Sequence, residues 1–377
     1  MQANKTFITH VITSSSIGGA ELALYYFLKN SLQSEFTCQV ICLTGKGEVA
    51  ERIEALGVPV IGLDLKSSIN SIFSVTRIVR EIKRFGTDAV HCWMYHANLL
   101  GGLAGRLAGV PVIWGIHHDS LDTALLKRRT ILIARLGAYL SRWLPEQVIF
   151  CSHSSRQEHI RIGYQEKKTT VIPNGFDTDL FKPNYNAGSI IKKKIGIPSD
   201  SPVVGHVGRF NPTKDHLTMI RSAGLIADEH PKTHFIVCGI GVDGENAQLV
   251  NWVKDNRIGR QTHLLGQQIN MPHIYAAMDI LISSSVSEAF PNVIGEAMSC
   301  GVPCVVTDVG DSAFMVAGTG RVVPPGDPQK IADAVLELFA KKELRDSLGR
   351  SARERVIREF NILNLVKHYS EVYKQVY

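Results

Sequence analysis

The chain has 377 residues, of which 45% are hydrophobic and 20% are charged, and 32 are glycines. These values exclude a disordered chain, a collagen-like repeat and a small disulfide scaffold, and the length predicts two domains. The net charge of +6 is mild, so nucleic acid is not an expected partner. Seven scattered cysteines, no signal-peptide pattern and no uninterrupted apolar stretch predict a cytoplasmic protein without a membrane span.

Short runs rich in Val and Ile recur along the chain, each followed by a helical pattern, and they predict buried parallel strands. In the first half the predicted strands are Phe7–Thr13, Gln39–Leu43, Val58–Leu63, Ala89–Trp93, Val110–Ile116, Gln147–Cys151 and Thr170–Ile172. In the second half they are Val203–Val207, Phe235–Cys238, His263–Leu265, Ile280–Ser283, Cys304–Thr307 and Arg321–Val323. The alternation predicts an α/β protein made of two Rossmann-like, doubly wound parallel sheets.

The pattern lapses over 181–201, where Pro, Asn, Gly and Ser indicate a linker. The first domain is therefore predicted to span 1–185 and the second 186–359. Helical patterns over Ala332–Arg358 and Phe360–Tyr377 end the chain. Ligands of open α/β sheets bind outside the carboxyl ends of the strands, so we expect the two domains to face a central cleft.

The strongest motif is Glu288-Ala-Phe-Pro-Asn-Val-Ile-Gly-Glu296, which follows the predicted strand Ile280–Ser283. Pro291 suits the first turn of a helix that we predict from Pro291 to Ser299. The N-terminus of that helix favours a phosphate, and carboxylates accept hydrogen bonds from sugar hydroxyls. By spacing alone, a capped helix with two solvated glutamates is an equal alternative.

Arg209 and Lys214 follow the strand Val203–Val207 directly. A planar guanidinium and a compact ammonium both suit a diphosphate, although for these residues in isolation surface ion pairs are the better explanation. No convincing pair of metal-binding carboxylates is present, because Asp177-Thr-Asp179 lies in a connection instead of following a strand. The sequence therefore predicts no metal and no cofactor.

Three further motifs are weaker indications of a ligand site. Gly18-Gly19-Ala20-Glu21 follows the first strand and can begin a helix near a ligand. His117-His118-Asp119 ends the strand Val110–Ile116, and adjacent residues of a strand point to opposite sides, so one histidine can face a ligand. Gly239-Ile-Gly241-Val-Asp-Gly244 matches a dinucleotide-binding pattern but occurs well inside the second domain.

Together these segments resemble the retaining, nucleotide-sugar-dependent glycosyltransferases of the GT-B fold, specifically the large family four. The resemblance covers nearly the whole chain. It is carried by Gly18-Gly19-Ala20-Glu21, by Val171-Ile-Pro-Asn-Gly-Phe-Asp177 with Phe181, by Gly208-Arg209…Lys214-Asp215, and by Glu288…Glu296 with Phe290-Pro291-Asn292. It also implies that a C-terminal helix, at about 360–377, crosses back onto the first, acceptor-binding domain.

The resemblance implies a role for each matching residue. Arg209 and Lys214 would bind the diphosphate and stabilise the leaving nucleotide, and Glu296 would accept the ribose hydroxyls. The donor sugar would be held by Glu288 and by the backbone around the residues Phe290, Pro291, Asn292 and Val293. His118, or else His117, would lie at the sugar on the side of the first domain. Gly18 and Gly19, in the N-terminal glycine loop of the family, would bind substrate.

The chain departs from the family at 309–314, where Phe314 replaces a common glutamate, so no role is assigned to that loop. The implied function is transfer of a sugar from a nucleotide sugar, with UDP as the default, to a glycan or lipid-linked acceptor. A GT-B epimerase, a phosphorylase, a non-catalytic sugar-nucleotide binder and a dinucleotide-dependent oxidoreductase are the alternatives.

The segment 123–145 contains five basic residues and no acidic one. Arg128, Arg135 and Arg142 recur every seven residues and form one helical stripe. The sequence predicts a separate apolar sector, buried against the sheet, made of Leu125, Leu126, Leu132, Ile133, Leu136, Leu140, Trp143 and Leu144. The basic stripe is then expected to rest on an anionic membrane surface without inserting into it.

Overall fold

The computed structural model describes residues 6–31, 36–65, 71–118 and 128–376. The chain forms two compact units, one ending at Gly175 and joined by the C-terminal helix, the other spanning Phe176–Asn361. The predicted boundary at 185 is therefore too late. The reason is that Phe176, which precedes it, packs within the second unit, with its ring stacked 6.3 Å from the ring of Phe290.

The first unit contains a seven-stranded parallel sheet in the order β3-β2-β1-β4-β5-β6-β7. Its strands are β1 Thr6–Ile12, β2 Phe36–Cys42, β3 Val60–Gly62, β4 Ala89–Trp93, β5 Val112–Ile116, β6 Gln147–Phe150 and β7 Thr169–Val171. Its helices are α1 Gly19–Ser31, α2 Glu48–Ala55, α3 Ser71–Phe85, α4 Tyr95–Ala108, α5 Arg128–Leu140, α6 His153–Arg161 and the C-terminal α15 Ile362–Val376. Apolar clusters cover both faces of the sheet, which is why these strands are almost continuously apolar.

The second unit has a six-stranded parallel sheet in the order β10-β9-β8-β11-β12-β13. Its strands are β8 Val203–Val207, β9 His234–Cys238, β10 Thr262–Leu264, β11 Ile280–Ser283, β12 Cys304–Thr307 and β13 Arg321–Val323. Its helices are α7 Tyr185–Lys194, α8 His216–Glu229, α9 Ala247–Asp255, α10 Met271–Ala276, α11 Asn292–Ser299, α12 Ser312–Val316, α13 Pro328–Ala340 and α14 Lys342–Glu359. All thirteen predicted strands occur, and the predicted α/β fold with two doubly wound sheets is confirmed.

Two helical predictions are wrong. The predicted linker over 181–201 contains α7, which begins where the Asn184 side chain accepts a hydrogen bond from the Ala187 N–H at 3.1 Å. Gly188 allows α7 to lie close to α10, since a Cβ at Gly188 would be 2.8 Å from the carbonyl carbon of Ala276. The single helical pattern over Ala332–Arg358 is divided between α13 and α14, with the break at Lys341.

The face that α5 buries also differs from the prediction. Small residues let the helix lie close to the core, because Ala134, Gly137 and Ala138 are buried with Ile131. A Cβ at Gly137 would be 2.6 Å from the hydroxyl oxygen of Tyr164. The helix therefore packs through its small residues and not through its large ones.

The predicted apolar sector of this segment is split by that packing. Leu132, Leu136 and Trp143, which the pattern placed in the core, are exposed by 68%, 49% and 54%. In contrast, Ile133, Leu140 and Leu144 are half-buried against the core. The residues 123–127 of the predicted stretch lie outside the described part of the chain.

Within the described ranges, no helix is both long enough and apolar enough to cross a membrane.

Candidate active site

The candidate site of the second unit lies at the carboxyl edge of its sheet, where the strand order reverses between β8 and β11. Doubly wound sheets bind ligands at such a switch point because the loops that leave the two strands diverge there. The loop after β8 carries Arg209 and Lys214, and the loop after β11 carries Glu288. The topology thus places together the charged residues that the sequence assigned to one ligand.

Lys214 and Glu288 form an ion pair at this edge, in which the ammonium of Lys214 donates to Oε1 of Glu288. Their side chains are only 19% and 11% exposed, so the pair is far less screened than a surface ion pair. The hydroxyl of Ser285 donates to the same Oε1 at 2.6 Å. Glu288 is therefore oriented by one charged and one neutral donor.

The loop after β8 is fastened to the loop after β11 by hydrogen bonds with the backbone. The hydroxyl of Ser284 donates to the carbonyl oxygens of Lys214 and Asp215, both at 3.0 Å. The Val286 N–H donates to the carbonyl oxygen of Thr213 at 2.9 Å. Asp215, with a φ of 45°, then begins α8 by accepting a hydrogen bond from the Thr218 N–H.

Arg209 is exposed at the beginning of this loop, and the chain beneath it is closely packed. Gly239 has a φ of 152°, and a Cβ there would lie 2.9 Å from the Arg209 nitrogen. A Cβ at Gly241 would lie 3.4 Å from the Cβ of Phe210, so Gly239 and Gly241 have a packing role under the Arg209 loop. After them, α9 begins only at Ala247, behind the capping residue Asn246, so the dinucleotide pattern does not open a helix directly.

The backbone from Glu288 to Pro291 is supported from behind by the loop after β12. Gly310 has a φ of 54°, and a Cβ there would lie 2.7 Å from the carbonyl carbon of Glu288. The Asp311 N–H donates to the carbonyl oxygen of Ala289 at 3.0 Å. The divergent segment 309–314 thus holds the Glu288 loop in place even though it lacks the glutamate of the family pattern.

Phe290 fixes the same loop from the other side, because its ring is buried between Phe176 and Phe360. Its side chain therefore positions the backbone and does not itself line a ligand site. The loop ends at Pro291, the N-cap residue of α11, so the helix begins at Asn292, one position after its predicted start. Asn292 and Val293 form the first turn of α11, whose N–H groups point out of the helix end.

Glu296 lies in the second turn of α11 and has a different partner from Glu288. The hydroxyl of Tyr275 donates to Oε2 of Glu296 at 2.8 Å. The surroundings of the carboxylate are largely desolvated, which raises the pKa of Glu296 to about 7, while the Tyr275 hydrogen bond acts in the opposite direction. The two glutamates of the motif are thus held separately, and each retains a second carboxylate oxygen.

The candidate residues of the first unit lie after β1 and β5. Gly18 precedes α1, and its carbonyl oxygen accepts the Leu22 N–H at 3.0 Å, while a Cβ at Gly19 would meet nothing within 4 Å. The predicted helix start at these glycines is confirmed.

The two histidines after β5 turn to different surroundings, as predicted for neighbouring positions. The ring of His117 stacks on Trp93 at 5.0 Å, and burial lowers the pKa of His117 to about 4. The ring of His118 lies 6.0 Å from that of Tyr95, and the His118 carbonyl accepts a hydrogen bond from the Ser155 hydroxyl. Asp119 lies outside the described residues.

Asp177 and Asp179 form a local turn, in which Oδ1 of Asp177 accepts the N–H groups of Asp179 and Leu180. In the ranges that the structure describes, no group of three His, Cys, Asp or Glu side chains could hold a metal ion.

Sequence reasoning missed the polar partners of the two glutamates. Ser285, the partner of Glu288, could have been found, because hydroxyl residues that closely follow a buried strand lie at the edge where ligands bind. Tyr275 gave no signal, because its hydroxyl meets Glu296 only through the packing of α10 against α11.

Two doubly wound parallel sheets, with a charged set at the switch point of the second, are the architecture of the GT-B class. Two family models match the chain: Glycosyltransferase Family 4 over residues 17–180 and Glycosyl transferases group 1 over residues 189–355. The chain belongs to the group 1 glycosyltransferases.

Relatives agree with this assignment. The D-inositol 3-phosphate glycosyltransferase of Corynebacterium jeikeium is 30% identical, over 70% of this chain and 67% of the relative. The Escherichia coli UDP-Gal:alpha-D-GlcNAc-diphosphoundecaprenol alpha-1,3-galactosyltransferase is 25% identical, over 98% and 97% of the two chains. The fold of Anabaena Alr3699/HepE, crystallised with UDP-glucose, matches with a TM-score of 0.86 at 23% identity, over 98% of this chain and 99% of that one.

Proposed function

We propose that this enzyme transfers a sugar from a UDP-sugar to a lipid-linked glycan acceptor with retention of the anomeric configuration. The observation that carries the donor half of the proposal is the Lys214–Glu288–Ser285 network at the switch point of the second sheet. UDP is favoured because solved structures of the same fold hold UDP or UDP-glucose. Retention follows from the family resemblance.

The residues of the second unit supply the charge that the leaving group needs. The ammonium of Lys214 has three N–H donors and Glu288 takes one, so two are available to phosphate oxygens. Arg209 and the N-terminus of α11 add positive potential where charge develops on the β-phosphate. Both donors to Glu288 use Oε1, so its Oε2 can accept a hydroxyl of the donor sugar.

The reaction then needs no separate base. The bond between the anomeric carbon and the β-phosphate oxygen breaks, and the acceptor oxygen bonds to the same face of that carbon. The acceptor proton passes to the departing phosphate, so the products are UDP and the extended glycan. His118, with His117 and the loop of Gly18 and Gly19, serves this transfer from the first unit in our proposal, and no metal takes part.

A thermal-shift series and a single-turnover assay test the donor. We expect UDP and UDP-sugars to raise the unfolding temperature more than ADP or GDP, and one UDP-sugar to release UDP only when an acceptor is added. Conversion of the sugar without an acceptor would indicate an epimerase, and release of a sugar phosphate with inorganic phosphate would indicate a phosphorylase. Binding of UDP-sugars without any release of UDP would indicate a non-catalytic sugar-nucleotide binder.

The acceptor half of the proposal is supported by the surface of α5. Leu132, Leu136 and Tyr139 recur at spacings of four and three within α5 and share one helix face, and Trp143 follows in the turn after the helix. All four side chains are at least 49% exposed. The rings of Tyr139 and Trp143 contact each other at 4.9 Å. Monomeric proteins seldom expose several large apolar side chains on one face without a partner for it.

Exposed arginines accompany this apolar face, namely Arg128, Arg129, Arg135 and Arg142. Amphipathic tyrosine and tryptophan beside arginines match the interface of an anionic bilayer, where rings reach the acyl boundary and cations meet headgroups. The E. coli relative is named for a diphosphoundecaprenol-linked acceptor, which such a surface would bring within reach. We therefore propose that this face inserts apolar side chains into an anionic membrane, and this replaces the expectation of a purely electrostatic contact.

Vesicle flotation distinguishes insertion from electrostatic contact. We expect strong binding to vesicles with one third phosphatidylglycerol and weak binding to phosphatidylcholine, with a fraction of the binding resistant to 0.5 M salt, as an inserted apolar face requires. Substituting Leu136→Ser with Trp143→Ser should abolish the salt-resistant fraction. Ile269→Ser is the matched control, because Ile269 is 95% exposed in the second unit.

Reversing Arg128, Arg135 and Arg142 to Glu should weaken binding to anionic vesicles by more than a hundredfold, since each cation contributes about 1 kcal/mol near such a surface. Equal flotation of all variants, or a stable dimer through α5 instead of vesicle binding, would remove the membrane from the proposal.

A further inference from the structure

Tyr275 is the one side chain among the described residues that donates a hydrogen bond to Glu296, at 2.8 Å. Its ring is completely buried, and the ring of Phe181 packs edge-on against it at 6.2 Å. The phenol therefore has no alternative position, and its hydroxyl fixes the direction of the Glu296 carboxylate. Because Tyr275 uses Oε2, the other oxygen of Glu296 can accept a hydroxyl from a ligand.

The surroundings of Glu296 oppose its ionisation. The titratable groups near it are Tyr275 on α10, Cys238 at the end of β9 and Cys300 after α11, with Arg353 beside Cys300. The guanidinium of Arg353 is occupied by the carbonyl oxygens of Phe181 and Ser299 and does not pair with Glu296. The hydroxyl of Tyr275 therefore supplies the hydrogen bond that favours the charged form.

We propose that Tyr275 is a positioning residue for nucleotide binding, holding Glu296 ionised and oriented so that it accepts the ribose hydroxyls of the donor. This inference rests on the proposed function, to which we add the ribose-binding role that the family resemblance implies for Glu296. A protonated carboxyl would use one of its oxygens as a donor, and a rotated one would lose the alignment with two adjacent hydroxyls. The hydrogen bond from Tyr275 prevents both changes.

Titration calorimetry with UDP and 2′,3′-dideoxy-UDP between pH 6 and 8.5 tests the proposal. Removing the hydroxyl in Tyr275→Phe should weaken UDP binding about five- to tenfold at pH 7, the cost of one hydrogen bond. The affinity for dideoxy-UDP should not change, because this ligand offers Glu296 nothing to bind. The midpoint of the pH dependence for UDP should move upward, since Glu296 loses the donor that favours its charged form.

Tyr164→Phe is the control, because Tyr164 is equally buried but lies in the first unit. Placing 3-fluorotyrosine at position 275 provides a second test that preserves the packing. Its more acidic hydroxyl should move the midpoint to lower pH, and this test remains available if Tyr275→Phe does not fold.

Equal losses for UDP and dideoxy-UDP in Tyr275→Phe, or an unmoved midpoint in both variants, would overturn the role of Tyr275. If the wild-type enzyme binds UDP and dideoxy-UDP equally well, the ribose assignment of Glu296 in the proposed function fails instead. A double variant that adds Tyr275→Phe to Glu296→Gln should bind UDP no more weakly than Glu296→Gln alone.

Discussion

The two sheets share one strand order around β1 and β8, yet their carboxyl edges carry different chemistry. In the second unit the loops after β8 and β11 carry permanent charges, with Lys214 paired to Glu288. In the first unit the corresponding edge carries glycines and imidazoles, and burial lowers the pKa of His117 to about 4. A shared topology thus sets where a ligand can bind, while the residue types after the strands decide whether that edge can stabilise negative charge.

The largest effect on turnover should come from removing the charges at the carboxyl edge of the second sheet. Lys214→Ala and Arg209→Ala should each lower turnover by two to three orders of magnitude, because a donor to transition-state charge contributes about 3–4 kcal/mol. Single-turnover rates with a saturating UDP-sugar measure this loss.

Arg321→Ala is the control for these variants, because Arg321 pairs with Glu337 at the amino end of β13, away from the carboxyl edge. It should keep the wild-type rate. Wild-type turnover in both Lys214→Ala and Arg209→Ala would show that the charged edge is not the diphosphate site.

A smaller loss of turnover is expected from substitutions at the carboxyl edge of the first sheet. His118→Ala should reduce turnover about ten- to a hundredfold, the effect of one hydrogen bond to a reacting substrate, while leaving the affinity for UDP unchanged. His117→Ala should affect turnover less than His118→Ala. The opposite ranking would assign the sugar contact to His117.

A buried histidine inside β1 of the first unit should make the fold sensitive to acid. Burial lowers the pKa of His10 to about 3, below the value of 6.5 for an exposed histidine, so the unfolded chain takes up the proton first as the pH falls. The contribution of the neutral buried histidine to the free energy of unfolding is therefore complete above pH 6.5. Below pH 6.5 this free energy should fall by about 1.4 kcal/mol per pH unit for each such histidine.

Urea unfolding followed by tryptophan fluorescence at pH 7, 6 and 5 measures this slope. His10→Asn should flatten it, because asparagine can still accept the hydrogen bond that Trp93 donates to His10 but does not titrate. An unchanged slope in His10→Asn would show that His10 does not contribute to the pH dependence of the free energy of unfolding.

The smallest expected effect concerns metal ions. Arg209, Lys214 and the N-terminus of α11 supply the positive charge in our proposal, so EDTA should leave the transfer rate unchanged. A rate that falls in EDTA and returns with magnesium or manganese would show that the charged edge is incomplete without a cation.

The strands were predictable because their signal is local. A parallel strand buried on both faces needs a continuous apolar run whatever its neighbours are, and runs such as Ala89–Trp93 and Ile280–Ser283 have the same bounds in the structure. The positions of Arg209, Lys214, Glu288 and Glu296 relative to those strands were predictable for the same reason.

The sequence by itself thus determined the strands of both sheets and the charged residues that follow those strands along the chain. Only the tertiary structure decided which side of α5 is buried, because helical periodicity defines a sector but Tyr164 and the small residues around Gly137 select the side that fits. The same holds for Tyr275 and Glu296, which belong to different helices. Their hydrogen bond depends on how those helices pack, and no spacing along the chain records that distance.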